Sequence, residues 1–239
     1  MEKTNFTHKY TELSNETIAK RVYEMLTIRE SIDTTAAVVK FSQGNRKTGT
    51  LIPSVSLIPI ADCRNCKTCK NGCYAVKHMC IYPSVKNQVA NNSAIAHKDI
   101  TKYFEQILEF VRFRVFFRYH IQGDILNREY FAYMVRIAEL VPTCKFLAFT
   151  KCFDIVNSFI EDNGELPKNL NIIFSDWKGM KMENPFNLPI SSPIWQDGTT
   201  GSNVTEKKYL CNGFCEDCAK NNTKCWNAQK GDTILFEAH

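Results

Sequence analysis

Residues 14–31, SNETIAKRVYEMLTIRES, put Ile18, Val22, Met25 and Leu26 on one helical face, joined by the stem of Arg29. Ser14, with Glu16 and Thr17 behind it, supplies a capped start, so an amphipathic helix is expected here. The pattern then changes. TTAAVVKFSQGNRKTGTLIPSVSLIPI brings β-branched residues, turn glycines at Gly44 and Gly49, and interruptions at Pro53 and Pro59. This predicts a short strand and a hairpin-like loop leading into a cysteine-rich stretch.

Beyond that stretch, SVKNQVANNSAIAHKD is weakly helical. DITKYFEQILEFV is strongly so, with Phe104, Ile107, Leu108 and Val111 aligned and Asp99 as cap. Strands and helices then alternate. FRVFFRYH reads as a strand, followed by a helix from Asn127 over REYFAYMVRIAELV; KFLAFTK reads as a strand, followed by a helix capped by Asp154 over IVNSFIED. NLNIIFSDW is a third strand, SPIWQDG a candidate fourth, and DTILFEAH a strand that returns to the body. Strand–helix alternation of this kind belongs to a parallel sheet with right-handed crossovers. The expected fold is therefore α/β: a partial or irregular (β/α) barrel of parallel strands, with an open sheet as the alternative. We read one domain over residues 1–239, made of a helical extension (1–40), a barrel-like core (41–205) and a cysteine-rich C-terminal segment (206–239).

Composition narrows the class. The chain has 239 residues, 44% of them hydrophobic, enough for one full-sized core. No apolar run reaches the roughly 18 residues of a membrane span. The N-terminus is polar and mixed in charge, unlike a secretory signal, so a cytoplasmic protein is expected. A net charge of +5 permits nucleic acid as a partner without demanding it, since no Lys/Arg tract is present. A glycine-rich phosphate loop is also missing, which argues against a nucleotide-hydrolysing engine.

The eleven cysteines change the picture most. In a reducing compartment an odd, clustered set reads as metal ligation rather than a disulfide framework. Cys63, Cys66, Cys69 and Cys73 follow C-x2-C-x2-C-x3-C, the run of bacterial ferredoxins, with Tyr74 where proline usually follows. Cys211, Cys215 and Cys218 follow C-x3-C-x2-C, the spacing of radical S-adenosylmethionine enzymes, with Cys225 after them. Here, however, the motif comes late in the chain, and Asp217 stands where an aromatic residue is usual. Thiolate-rich, histidine-poor groups suit iron–sulfur clusters, and one or two 4Fe–4S clusters are expected, with S-adenosylmethionine as a possible co-ligand. The alternative is zinc, held by cysteine pairs drawn from both groups. Cys66 is the candidate spectator; Cys144 and Cys152 flank a strand and read as buried hydrophobes, and Cys80 is open.

The strand ends carry the remaining chemistry, because function in parallel α/β folds gathers at carboxyl ends. His120 and Asp124, four residues apart across Gly123, are candidate acid–base residues; the alternative is a loop in which Asp124 caps and His120 bonds a carbonyl. Lys151 is a third catalytic candidate. Gln122, Ser175 and Trp177 are candidates for cofactor contact. Their bland readings are a solvated lysine and a buried tryptophan.

From about Phe41 to His239 these segments resemble the gene product 88 family of phage and plasmid proteins. The resemblance is carried by SQGNRKTG, CYAVK, RYHIQGD, FLAFTK, LPKNLNIIFSDW, and the terminal cysteines with Trp226 and ILFEAH. The CYA piece also resembles a second group of phage proteins with a radical-SAM-like barrel. The resemblance implies a mobile-element origin and a metal site, with Cys63, Cys69 and Cys73 at the family's cysteine positions and Cys66 as an extra one. It implies no particular reaction. Two functions are therefore expected to compete: an iron–sulfur protein acting in electron transfer or reductive cleavage of S-adenosylmethionine, and a nucleic-acid-binding module stapled by metal.

Overall fold

A computed structural model describes residues 10–44 and 48–238. The centre of SQGNRKTG and the last residue of ILFEAH lie outside the described residues. Helix α1 runs Asn15–Glu30, and Ser14 accepts a hydrogen bond from Thr17 N at 3.2 Å, so the sequence-read cap is present. Its apolar face buries Ile18 and Met25. The predicted strand before the cysteines is small: a bridge between Ser42 and Ser54, then β1 at Ser54–Val55.

The chain continues through a π-helical turn at Ala75–Met79, α2 (Pro83–Lys98), α3 (Ile100–Val111), β2 (Phe116–Tyr119) and α4 (Arg128–Leu140). Then come β3 (Lys145–Thr150), α5 (Phe153–Asn163), β4 (Leu170–Ser175) and β5 (Ile190–Ile194). Asp99 and Asn127 cap α3 and α4 through bonds from Lys102 N and Tyr130 N. Asp154 does not cap α5. It lies inside the first turn, where Cys152 stands at the cap position, and it pairs instead with Arg64 at 3.3 Å. The C-terminal part adds β6 (Lys208–Leu210), which the hydrophobic pattern does not announce because all three residues are exposed. It ends with α6 (Cys215–Lys220), a 3₁₀ turn (Lys224–Asn227) and β7 (Thr233–Glu237).

All seven strands join one sheet in the order β1-β2-β3-β4-β5-β7-β6, and every pairing is parallel. Through β5 each new strand is added on the same side of the last. Right-handed crossovers then lay α3, α4 and α5 on one face. Phe117, Tyr119, Phe146, Ala148, Ile172 and Phe174 bury that face beneath the helices. The last crossover runs backwards, from β6 to β7. The same handedness therefore carries α6 and the 3₁₀ turn to the opposite face. There Cys218, Ala219 and Trp226 pack on Leu147, Ile173 and Ile234. One reversal of strand order thus explains why the second cysteine group lies on the face that the other helices leave open.

Candidate functional site

The first cysteine group lies in the loop that leaves β1, at the carboxyl end of the sheet. Two contacts tie this loop to the end of β3. Asn65 Nδ2 donates to the Lys151 carbonyl at 2.7 Å, and Arg64 reaches Asp154. A third tie runs to the β2 loop, where Asp124 N donates to the carbonyl of Asp62, next to Cys63, at 2.9 Å. Tyr74, at the far end of the loop, donates its hydroxyl proton to the Ile121 carbonyl. Gly123 (φ +77°) allows the β2 loop to pass so close to Leu57 that a Cβ would lie 2.6 Å from the Leu57 Cβ.

Lys151 stands among these groups. Burial opposes its charge, but the acidic groups around it, Cys69, Asp124, Cys63 and Cys73, more than compensate, and its ammonium is held above the usual lysine range. Its Nζ also lies 5.8 Å from the centre of the Trp177 ring. The thiols shift the other way from a free nucleophile. Burial pushes Cys63 well above its usual value, helped by Asp124 and Cys73; burial raises Cys73 too, with Cys69 adding to it. Cys66 is raised by burial and by Cys69, and its Sγ turns toward the Ile60 carbonyl at 3.7 Å. Among the described residues no set of three or more His, Cys, Asp or Glu side chains stands in a metal-holding arrangement.

The second group is a separate neighbourhood. Burial raises the Cys225 thiol to about 12, and its acidic neighbours are Cys211, Cys215 and Cys218. Contacts fix it toward the starting ends of the strands: Trp226 meets the Phe116 ring edge-on at 5.1 Å, Asn171 Nδ2 donates to Cys225 O, and Lys145 Nζ donates to Asn222. The first group sits at the other ends of the same strands.

The strand-end residues divide. Asp124 is buried, and burial raises its carboxyl against the pull of its hydrogen bonds from Thr150 Oγ1 (2.6 Å), Lys151 N (2.9 Å) and Ile125 N (2.8 Å). His120 bonds elsewhere: its Nε2 lies 2.9 Å from Tyr130 Oη, which donates onward to Tyr103 at 3.0 Å. The other ring nitrogen of His120, Nδ1, is buried and has no partner among the described residues. His120 and Asp124 are thus brought to one loop without bonding to each other. Gln122 is occupied too, accepting from Cys80 Sγ at 3.1 Å. Ser175 and Trp177 remain partly exposed, and Trp177 meets Trp195 edge-on at 5.4 Å, as a wall rather than a free stacking platform.

Burial lowers the His120 imidazole from 6.5 to about 3. The unfolded chain therefore takes up a proton below about pH 6.5 that the folded chain refuses. Stability falls as pH drops through the window from about 6.5 to 3, by about 1.4 kcal/mol per pH unit. His120→Gln is expected to flatten this slope in urea titrations at pH 7, 6 and 5; an unchanged slope would contradict a neutral buried imidazole.

Arg118, central to the site, escapes a strand-end reading because it lies mid-strand. The alternation Phe116, Arg118 in FRVFFRYH is its signal, since it aims the guanidinium at the open face. The His97–Asp62 pair is also unannounced. His97 Nε2 lies 2.8 Å from Asp62, at a groove of about 310 Å³ on the helix side of the loop.

No helix among the described residues is long and apolar enough to cross a membrane. No curated protein and no solved structure matches the chain. A family model described as Gene product 88 matches residues 25–187. The match begins inside α1, earlier than the Phe41 boundary read from the motifs, and ends before the second cysteine group. It spans more than half of the chain and takes in the first cysteine group with every strand-end residue discussed, and on this basis the chain belongs to the gene product 88 family.

Proposed function

We propose that this chain is an iron–sulfur protein of phage or plasmid type, working in the cytoplasm of a bacterial host. In this reading the sheet is the wall of a partial (β/α) barrel, and Cys63, Cys69 and Cys73 hold a 4Fe–4S cluster over its carboxyl edge. The observation that carries the reading is the company of Lys151: Cys69, Cys63 and Cys73 all lie within its electrostatic reach, in a loop that directly follows the first strand of an all-parallel sheet. The donor set is soft and thiolate-rich, which suits a cluster. None of the eleven cysteines is tied up in a disulfide. When bound, such a cluster would supply one-electron transfer, or the electron for reductive cleavage of S-adenosylmethionine.

The chain's own residues have definable tasks. Lys151 offsets the negative charge that thiolates bring into a partly buried site. Asp124 holds the end of β3 and the cysteine loop together, and Ser175 and Trp177 face the space beside them. Two of the three ligand thiols, Cys63 and Cys73, are raised by burial, so ligation must strip their protons, and loading should release acid. The C-terminal group lies outside the family match and would form a second, independent site, for a cluster or for structural zinc.

Anaerobic reconstitution with iron and sulfide tests this directly. The expected result is sulfide-bearing iron with visible charge-transfer absorption and a paramagnetic signal on reduction, altered by S-adenosylmethionine if that molecule binds. Stoichiometric zinc with no visible absorption would overturn it.

A further inference from the structure

The Arg118 side chain has no hydrogen bond and no ion pair among the described residues, and its Nε is shut away from water. It projects from the middle of β2 onto the open face, with the guanidinium carbon 4.9 Å from the centre of the Phe149 ring. The acids near it are a phenol, Tyr74, and a thiol, Cys225; no carboxylate meets it. An arginine so placed is costly without a partner, because its buried Nε–H needs a hydrogen-bond acceptor. The neighbouring strand adds a second cation: Lys151 continues the Leu147, Phe149 alternation of β3 toward the same face. Above lies the cysteine loop with Tyr74, and below lies the packed C-terminal segment.

We propose that Arg118 is the anchor for an oxyanion, a carboxylate or phosphate group, of a small-molecule ligand bound on the open face beneath the cysteine loop. The guanidinium fork fits two oxygens of such a group at once, which an ammonium cannot do. Phe149 backs the fork and keeps it flat. Lys151 gives the anion a second positive neighbour, and Trp177 and Tyr74 supply apolar walls for the organic part of the ligand. This assigns the ligand class for the site proposed above and takes the location of that site from it.

The test uses the full chain, with and without reconstituted iron and sulfide, at constant ionic strength. Inorganic phosphate, pyrophosphate, acetate and oxalate are titrated against chloride as the control, following tryptophan fluorescence and heat. The expected result is saturable binding of phosphates or of carboxylates, which separates the two sources, weakened at least about tenfold in Arg118→Gln and not rescued by Arg118→Lys. Arg118→Met, which keeps the apolar stem on Phe149, guards against misfolding, checked by circular dichroism. Arg118-dependent binding in protein that takes up no iron would keep this inference and remove the cluster reading. Binding of none of the four anions, or binding equal in wild type and Arg118→Gln, would overturn it. So would a variant whose only change is loss of the cluster absorption, since Arg118 would then balance thiolate charge.

Discussion

Alanine in place of Cys63, Cys69 or Cys73 is expected to bring the iron and sulfide of reconstituted protein to background, whereas Cys66→Ala keeps both. The difference rests on position. Cys63, Cys69 and Cys73 share Lys151 as a neighbour, while the cation beside Cys66 is Lys70. Three thiolates are enough for a cluster with an open iron. The second group lies at the other ends of the strands, so Cys225→Ala should leave the absorption of the first site unchanged. Equal loss in Cys66→Ala would make all four cysteines ligands. Complete loss in Cys225→Ala would mean that the groups share a metal. Circular dichroism of each variant separates loss of ligand from loss of fold.

The second large effect concerns Asp124. Its carboxylate accepts from Thr150, Lys151 and Ile125, and its own amide donates to the carbonyl of Asp62. Asp124→Ala leaves three donors without their acceptor in a buried place, and unpaired buried donors each cost roughly 1–3 kcal/mol. With partial relaxation, urea unfolding at pH 7 is expected to show a loss of about 3–5 kcal/mol. Asp124→Asn keeps one acceptor oxygen and should lose less. A loss below about 1 kcal/mol for the alanine variant would mean that water replaces the carboxylate, and the loop would be more open than described.

Much of the framework was legible because periodicity and caps coincide. Ser14, Asp99 and Asn127 each sit before a clear helical stripe, and each caps in the structure. The alternating units in the middle of the chain became parallel strands and crossovers for the same reason. Asp154 misled because an acidic residue is favoured in the first turn as well as at the cap. Strand β6 was hidden, since an exposed edge strand has no apolar alternation to show. In the site, residue types were readable and pairings were not. His120 and Asp124 look coupled at four residues' spacing, yet their partners, Tyr130 and Thr150, come from other elements. The separation of the two cysteine groups was equally invisible, because it depends on the reversed strand order near the C-terminus.

That reversal also bears on how the chain is made. Strands β1 to β5 and their helices emerge from the ribosome before α6 and the 3₁₀ turn that cover their second face. For that interval the growing chain shows Leu147 and Ile173 to the outside. A chain stopped before residue 206 would remain in the open state and should be the form most ready to aggregate.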